Sequence, residues 1–153
     1  MPGRREVYEQ ALRQGNSAAW DQKWEHAIAA YRRALEEFPG DATALEHLGL
    51  AYVQNGQLDL ALTAYQQAAT ADPSNPIPQE KMSEILERKG RAPEAIRGYM
   101  AAAELYLGRH EGDKAMDDWL AVGGTHHQVL NLGDHGRKWI MLCDILGIDY
   151  AVV

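Results

Sequence analysis

Apolar positions along this chain recur at helical spacing, broken at intervals by turn residues. Between residues 42 and 75, Leu45, Leu48, Gly49 and Tyr52 fall at i, i+3, i+4 and i+7, and Ala61, Tyr65 and Ala68 draw a second stripe. Each stripe occupies one face of an α-helix with polar residues around it, so the segment predicts two antiparallel helices packed stripe to stripe. Gly49 and Ala61 carry almost no side chain and let the two backbones approach closely, while Tyr52 and Tyr65 fill the wider ends of the crossing. Asn55-Gly56 ends the first helix, because glycine takes the left-handed conformation without a Cβ penalty. Pro73 stops the second, because it cannot donate the next hydrogen bond.

The same unit returns in phase. Ala27, Tyr31, Ala34 and Pro39 recur 34 residues later as Ala61, Tyr65, Ala68 and Pro73, and Ala95, Tyr99 and Ala102 repeat the step. Repeats therefore span residues 8–41, 42–75 and 76–109. In the first, Ala11, Gln14 and Ala18 stand where the second has Leu45, Leu48 and Tyr52, so Trp20 and Trp24 are expected to supply the missing bulk. In the third, Met82, Leu86 and Gly90 hold phase, Ser83 replaces the small glycine, and Leu107 replaces the terminal proline. Without that stop, the last helix runs from about Pro93 through Leu107. Tyr106, Ala115 and Trp119 then repeat the spacing of Tyr52, Ala61 and Tyr65, which predicts a compressed fourth unit closing at about Leu120.

Leu45, Leu48, Gly49, Tyr52, Gly56, Ala61, Tyr65, Ala68 and Pro73 resemble the tetratricopeptide repeat pattern, with Leu and Tyr as variants. The resemblance covers residues 8–122. It implies an all-α fold, a right-handed superhelix (an α-solenoid of antiparallel helix pairs) of roughly seven helices, with a short helix in a C-terminal segment outside the repeat.

Register is lost at Gly123-Gly124. Asn131, Gly133 and Gly136 read as a loop, followed by a short helix from about Arg137 to Leu146, and Ile148 to Val153 reads as a strand or a frayed tail. Trp139, Ile140, Met141, Leu142, Cys143, Ile145 and Leu146 make the helix apolar on nearly every face, so it should be buried on several sides. It is expected to fold back as a cap or to dock on another molecule, with Trp139, Ile140, Leu142, Ile145 and Leu146 as association residues. A truncated or altered natural end is the remaining reading.

Composition narrows the function. The chain has 153 residues, enough for one folded unit, and 22 acidic against 15 basic residues give a formal charge of −7. That balance argues against nucleic-acid binding, which needs lysine and arginine to replace counterions, and against anionic membranes. No apolar run is long enough to span a bilayer, no signal-peptide run follows Met1, and Cys143 is the single cysteine. A cytoplasmic setting is expected.

Catalytic chemistry is not visible. The chain lacks a phosphate-binding loop, a nucleophile elbow and the paired-cysteine metal box. His126, His127, His135 and Cys143, with Asp134, are the densest set of potential zinc ligands, but their spacing is unlike that of compact sites. No metal, cofactor or enzymatic activity is expected. Trp24 and Trp119 are read as packing residues, whereas Trp20 fits packing or recognition equally, because its helix is otherwise alanine-rich.

The family resemblance also implies that the first helix of each repeat lines a concave groove taking an extended peptide or a partner's helix. The groove positions are Glu9, Leu12, Arg13, Asn16 and Trp20, then Glu46, His47, Leu50 and Gln54, then Ile77, Glu80, Lys81, Glu84 and Arg88. Charges alternate with Leu12, Leu50 and Ile77, which suits a peptide with both an apolar anchor and charges. A family subgroup grips chaperone carboxylates with two lysines, two asparagines and an arginine; here those places hold Leu12, Asn16, His47, Ile77 and Lys81. That ligand is not expected. The function expected is a protein-binding scaffold, with self-assembly through the apolar tail as the alternative.

Overall fold

The computed structural model describes residues 3–109, which form the helices α1 (Arg4–Trp20), α2 (Trp24–Glu37), α3 (Ala42–Gln54), α4 (Leu58–Ala71), α5 (Ile77–Arg88) and α6 (Ala92–Gly108). Among the described residues there is no strand, and each helix packs on its neighbours in sequence, as three stacked pairs. The expected unit closing near Trp119 and Leu120, the tail histidines and Cys143, and the association residues Trp139, Ile140, Leu142, Ile145 and Leu146 lie outside the described residues.

One turn is built three times. Lys23, Gln57 and Arg91 each donate an N–H to the carbonyl five residues back, on Ala18, Tyr52 and Leu86, at 2.8–2.9 Å. The residue before each has a positive φ: 58° at Gln22, 76° at Gly56 and 73° at Gly90. This is the Schellman closure of a helix, which satisfies the last carbonyls and turns the chain back on itself. The turns between pairs are also alike. Asp41 accepts from the Ala44 N–H at 2.7 Å and Asn75 from the Ile77 N–H at 3.1 Å, bonding the otherwise unpaired amides where α3 and α5 begin. At the other end of the chain, α1 begins at Arg4, ahead of the repeat boundary at residue 8, where the Gly3 N–H donates to Glu6 at 3.2 Å.

The predicted stripes are buried. Leu45, Leu48, Gly49 and Tyr52 of α3 and Ala61, Tyr65 and Ala68 of α4 all lie inside. The core runs continuously from Ala27, Ile28 and Tyr31 through Leu48, Tyr52 and Tyr65 to Met82 and Ile85. Glycine's role is sharper than close backbone approach: a Cβ on Gly15 would lie 2.4 Å from the Tyr31 ring, and one on Gly49 would lie 2.9 Å from the Tyr65 ring. The missing side chains make room for aromatic rings.

Trp24 half-buries against the core, as expected, but Trp20 is 89% exposed and supplies no bulk to repeat one. Gln14, Ser17 and Ala18 instead leave an open cleft of about 520 Å³ against Ala30 and Arg33. These are the places that Leu48, Ala51 and Tyr52 fill in repeat two, where they pack against repeat one. Gln14, Ser17, Lys23 and Arg33 alternate with alanines around this cleft, and no described helix packs over it.

Candidate partner-binding groove

α1, α3 and α5 are the first helices of the three pairs, those expected from the resemblance to line a groove. Between α1 and α3 lies a cleft of about 330 Å³, lined by Asn16, Ala19 and Trp20 of α1, Trp24 and Tyr31 of α2, and His47, Leu50 and Ala51 of α3. The cleft thus unites four of the groove residues expected from sequence: Asn16, Trp20, His47 and Leu50. Leu12 sits deeper, half-buried against the core, and Arg13 is exposed on the same helix.

Tyr31 is the residue that reasoning from periodicity placed only in the packing stripe. Its ring does pack over Gly15, but its hydroxyl continues past the stripe and donates to Asn16 Oδ1 at 2.8 Å. Burial pushes that phenol upward, which keeps it a donor. The signal was present in the residue type: tyrosine recurs at 31, 65 and 99, where phenylalanine would serve packing alone.

His47 stands beside Tyr31, ring centroids 5.4 Å apart and tilted by 48°. Burial holds its pKa below the ordinary imidazole value against the opposing pull of Asp41, so the ring is neutral at pH 7. Its Nδ1 is buried without a hydrogen-bond partner. None of the cleft's lining residues is charged at neutral pH.

The second half of the groove, between α3 and α5, has a different character. Glu46 accepts from Asn75 Nδ2 at 2.6 Å, Glu80 accepts from the Tyr106 hydroxyl at 2.6 Å, and Lys81 pairs with Glu84 at 2.8 Å. Burial raises the Glu46 carboxyl, with the Asn75 bond opposing. Burial, then Glu84 and Glu46, push the Tyr65 phenol upward. Gln54 and Arg88 lie exposed at the C-terminal ends of α3 and α5, apart from the neutral cleft. The expected residues therefore fall into two neighbouring surfaces: a neutral aromatic cleft and a charged strip. Among the described residues, no group of three or more histidines, cysteines or carboxylates is placed to hold a metal ion, and no helix is long and apolar enough to cross a membrane.

Comparison with known proteins agrees with this architecture. Residues 12–76 match the tetratricopeptide repeat family. A photosystem I assembly protein, Ycf3, of Prochlorococcus marinus (strain MIT 9211) is 30% identical over 110 residues, covering 70% of this chain and 60% of the relative. The chain spans 49% of the length of Ycf3 of Synechococcus sp. (strain WH7803). Among solved structures, the TPR2B domain of yeast Sti1 in its pHsp70 complex superposes with a TM-score of 0.72 at 17% identity, over 80% of this chain and 98% of that one. PcrH in complex with the chaperone-binding region of PopB gives 0.68 at 21% identity, over 74% and 92%. Those identities speak for the fold alone. Residues 12–76 are a tetratricopeptide repeat segment, and the helices from Arg4 to Gly108 form a solenoid of that family's fold.

Proposed function

We propose that this chain is a non-catalytic interaction scaffold, holding an extended segment or a helix of a partner protein along α1, α3 and α5. The observation that carries the reading is the uncovered apolar surface on that side: Trp20, Leu50 and Ile77 are 89%, 45% and 40% exposed. Large apolar side chains left in water beside a cleft mark a contact surface. The flanking charges of Arg13, Lys81, Glu84 and Arg88 are placed to fix the register of a bound segment.

The relatives' descriptions support the same kind of role. One is named an assembly protein and one structural neighbour is seen with a bound region of another protein. Binding by shape and charge, without turnover, is what such a surface offers.

Peptides selected from a displayed library on the full chain test this. Leu50→Asp and Arg88→Ala should each weaken the selected peptides, Leu50→Asp by about tenfold or more, while Arg32→Ala on α2 leaves affinity unchanged. Equal losses at Arg32, or losses at neither groove position, would overturn the assignment.

A further inference from the structure

The groove's two halves differ in what they accept. Resting on the scaffold reading above, we propose that the cleft between Trp20 and Leu50 is a subsite for an uncharged internal stretch of the partner chain, taking one large apolar side chain, aromatic best, while Asn16 bonds a backbone carbonyl beside it. The walls give the side chain. Trp20 offers an almost fully exposed indole, Leu50 lies across from it, and the cleft's volume of about 330 Å³ admits one large residue. An aromatic guest gains ring contacts beyond its buried area.

The polar atoms give the rest. Because the Tyr31 hydroxyl donates to Asn16 Oδ1 at 2.8 Å, the Asn16 amide is oriented and its N–H groups remain available for a carbonyl. His47 lines the cleft as a neutral imidazole whose Nδ1 is buried. The carbonyl of a peptide unit complements the Asn16 amide. A carboxylate does not. No cation lines the cleft, and burial opposes the protonation of His47 that would supply one. The partner is therefore gripped in mid-chain here rather than by a C-terminus, and any charged residues it carries belong over Lys81, Glu84 and Arg88.

The test selects peptides on the full chain from two libraries of random twelve-residue segments. In one the segment is closed at both ends inside a display scaffold; in the other it ends in a free carboxylate. The expected result is enrichment from the closed library of sequences with a fixed aromatic or large aliphatic position. Alanine at that position, or Trp20→Ala in the protein, should reduce affinity about tenfold or more, with helicity unchanged. Enrichment solely of free-carboxylate or acidic peptides that remain sensitive to Leu50→Asp or Arg88→Ala would overturn this subsite and leave the scaffold reading standing. Peptides that bind the Trp20→Ala protein equally well but remain sensitive to Leu50→Asp or Arg88→Ala would likewise overturn the subsite alone, whereas no enrichment from either library, or peptides indifferent to every groove substitution, would overturn both.

Discussion

Ser83 and Gly98 face each other across the α5–α6 crossing, where a Cβ on Gly98 would lie 2.0 Å from Ser83 Oγ. One repeat earlier the same two places hold Gly49 and Ala64, so the small residue has moved from the first helix of the pair to the second. Ser83 is fully buried and its hydroxyl donates to the Gln79 carbonyl at 2.9 Å, so it cannot swing aside without losing that bond. Repeat three thus keeps the close crossing with the opposite division of volume.

This exchange predicts a change of sign. Gly98→Ala should destabilise the protein, because overpacking of about 1–3 kcal/mol exceeds the gain of about 1 kcal/mol from replacing a helical glycine. In the Ser83→Gly background the same substitution should stabilise by about 1 kcal/mol. Urea unfolding of the four proteins checks this through the coupling energy, and additive effects would contradict the paired crossing.

Gln22 occupies the left-handed position that glycine holds at 56 and 90. A residue with a Cβ there costs about 1 kcal/mol, so Gln22→Gly should raise stability by about 0.5–1 kcal/mol, and Gly56→Ala should lower it by a similar amount. Thermal unfolding resolves both, and opposite shifts in midpoint are the expected pattern.

His47 predicts a pH dependence. Above its ordinary pKa of about 6.5 the ring is neutral in folded and unfolded chains alike. As pH falls through that value the unfolded chain binds the proton first, because burial holds the folded-state pKa lower despite Asp41. Stability contributed by neutral His47 is therefore present above about pH 6.5 and is lost on acidification, until the folded protein also protonates. His47→Gln should flatten that part of the profile between pH 7 and 5.5 in urea unfolding; an unchanged slope would contradict the buried neutral ring.

The fold was legible because its determinants are periodic. Steps of 34 residues place Gly15 and Gly49, Tyr31 and Tyr65, and Asp41 and Asn75 in equivalent settings, and a stripe of apolar residues shows which side faces inward. What escaped depends on pairs across helices. The serine at 83 is visible as a departure, but its complement at 98 lies on the following helix. Gln22 gives no turn signal, because its conformation is imposed by the repeated closure around it. Trp20, read as filling the gap in repeat one, instead points into solvent and leaves that gap open, which no spacing of residues shows. In the groove, the family resemblance pointed to Asn16, His47 and Leu50, whereas the Tyr31 hydroxyl and the unpartnered His47 nitrogen appear only once the helices are placed side by side.

The central claim is that a partner segment lies along α1, α3 and α5. Paramagnetic relaxation from a nitroxide on a library-selected peptide, read at the backbone amides of the full chain, measures that position directly. The account predicts the strongest broadening at Asn16, His47, Leu50 and Lys81, with Arg32 of α2 and Gln66 of α4 spared. Broadening centred on Arg32 and Gln66, with the first-helix amides sharp, would contradict it.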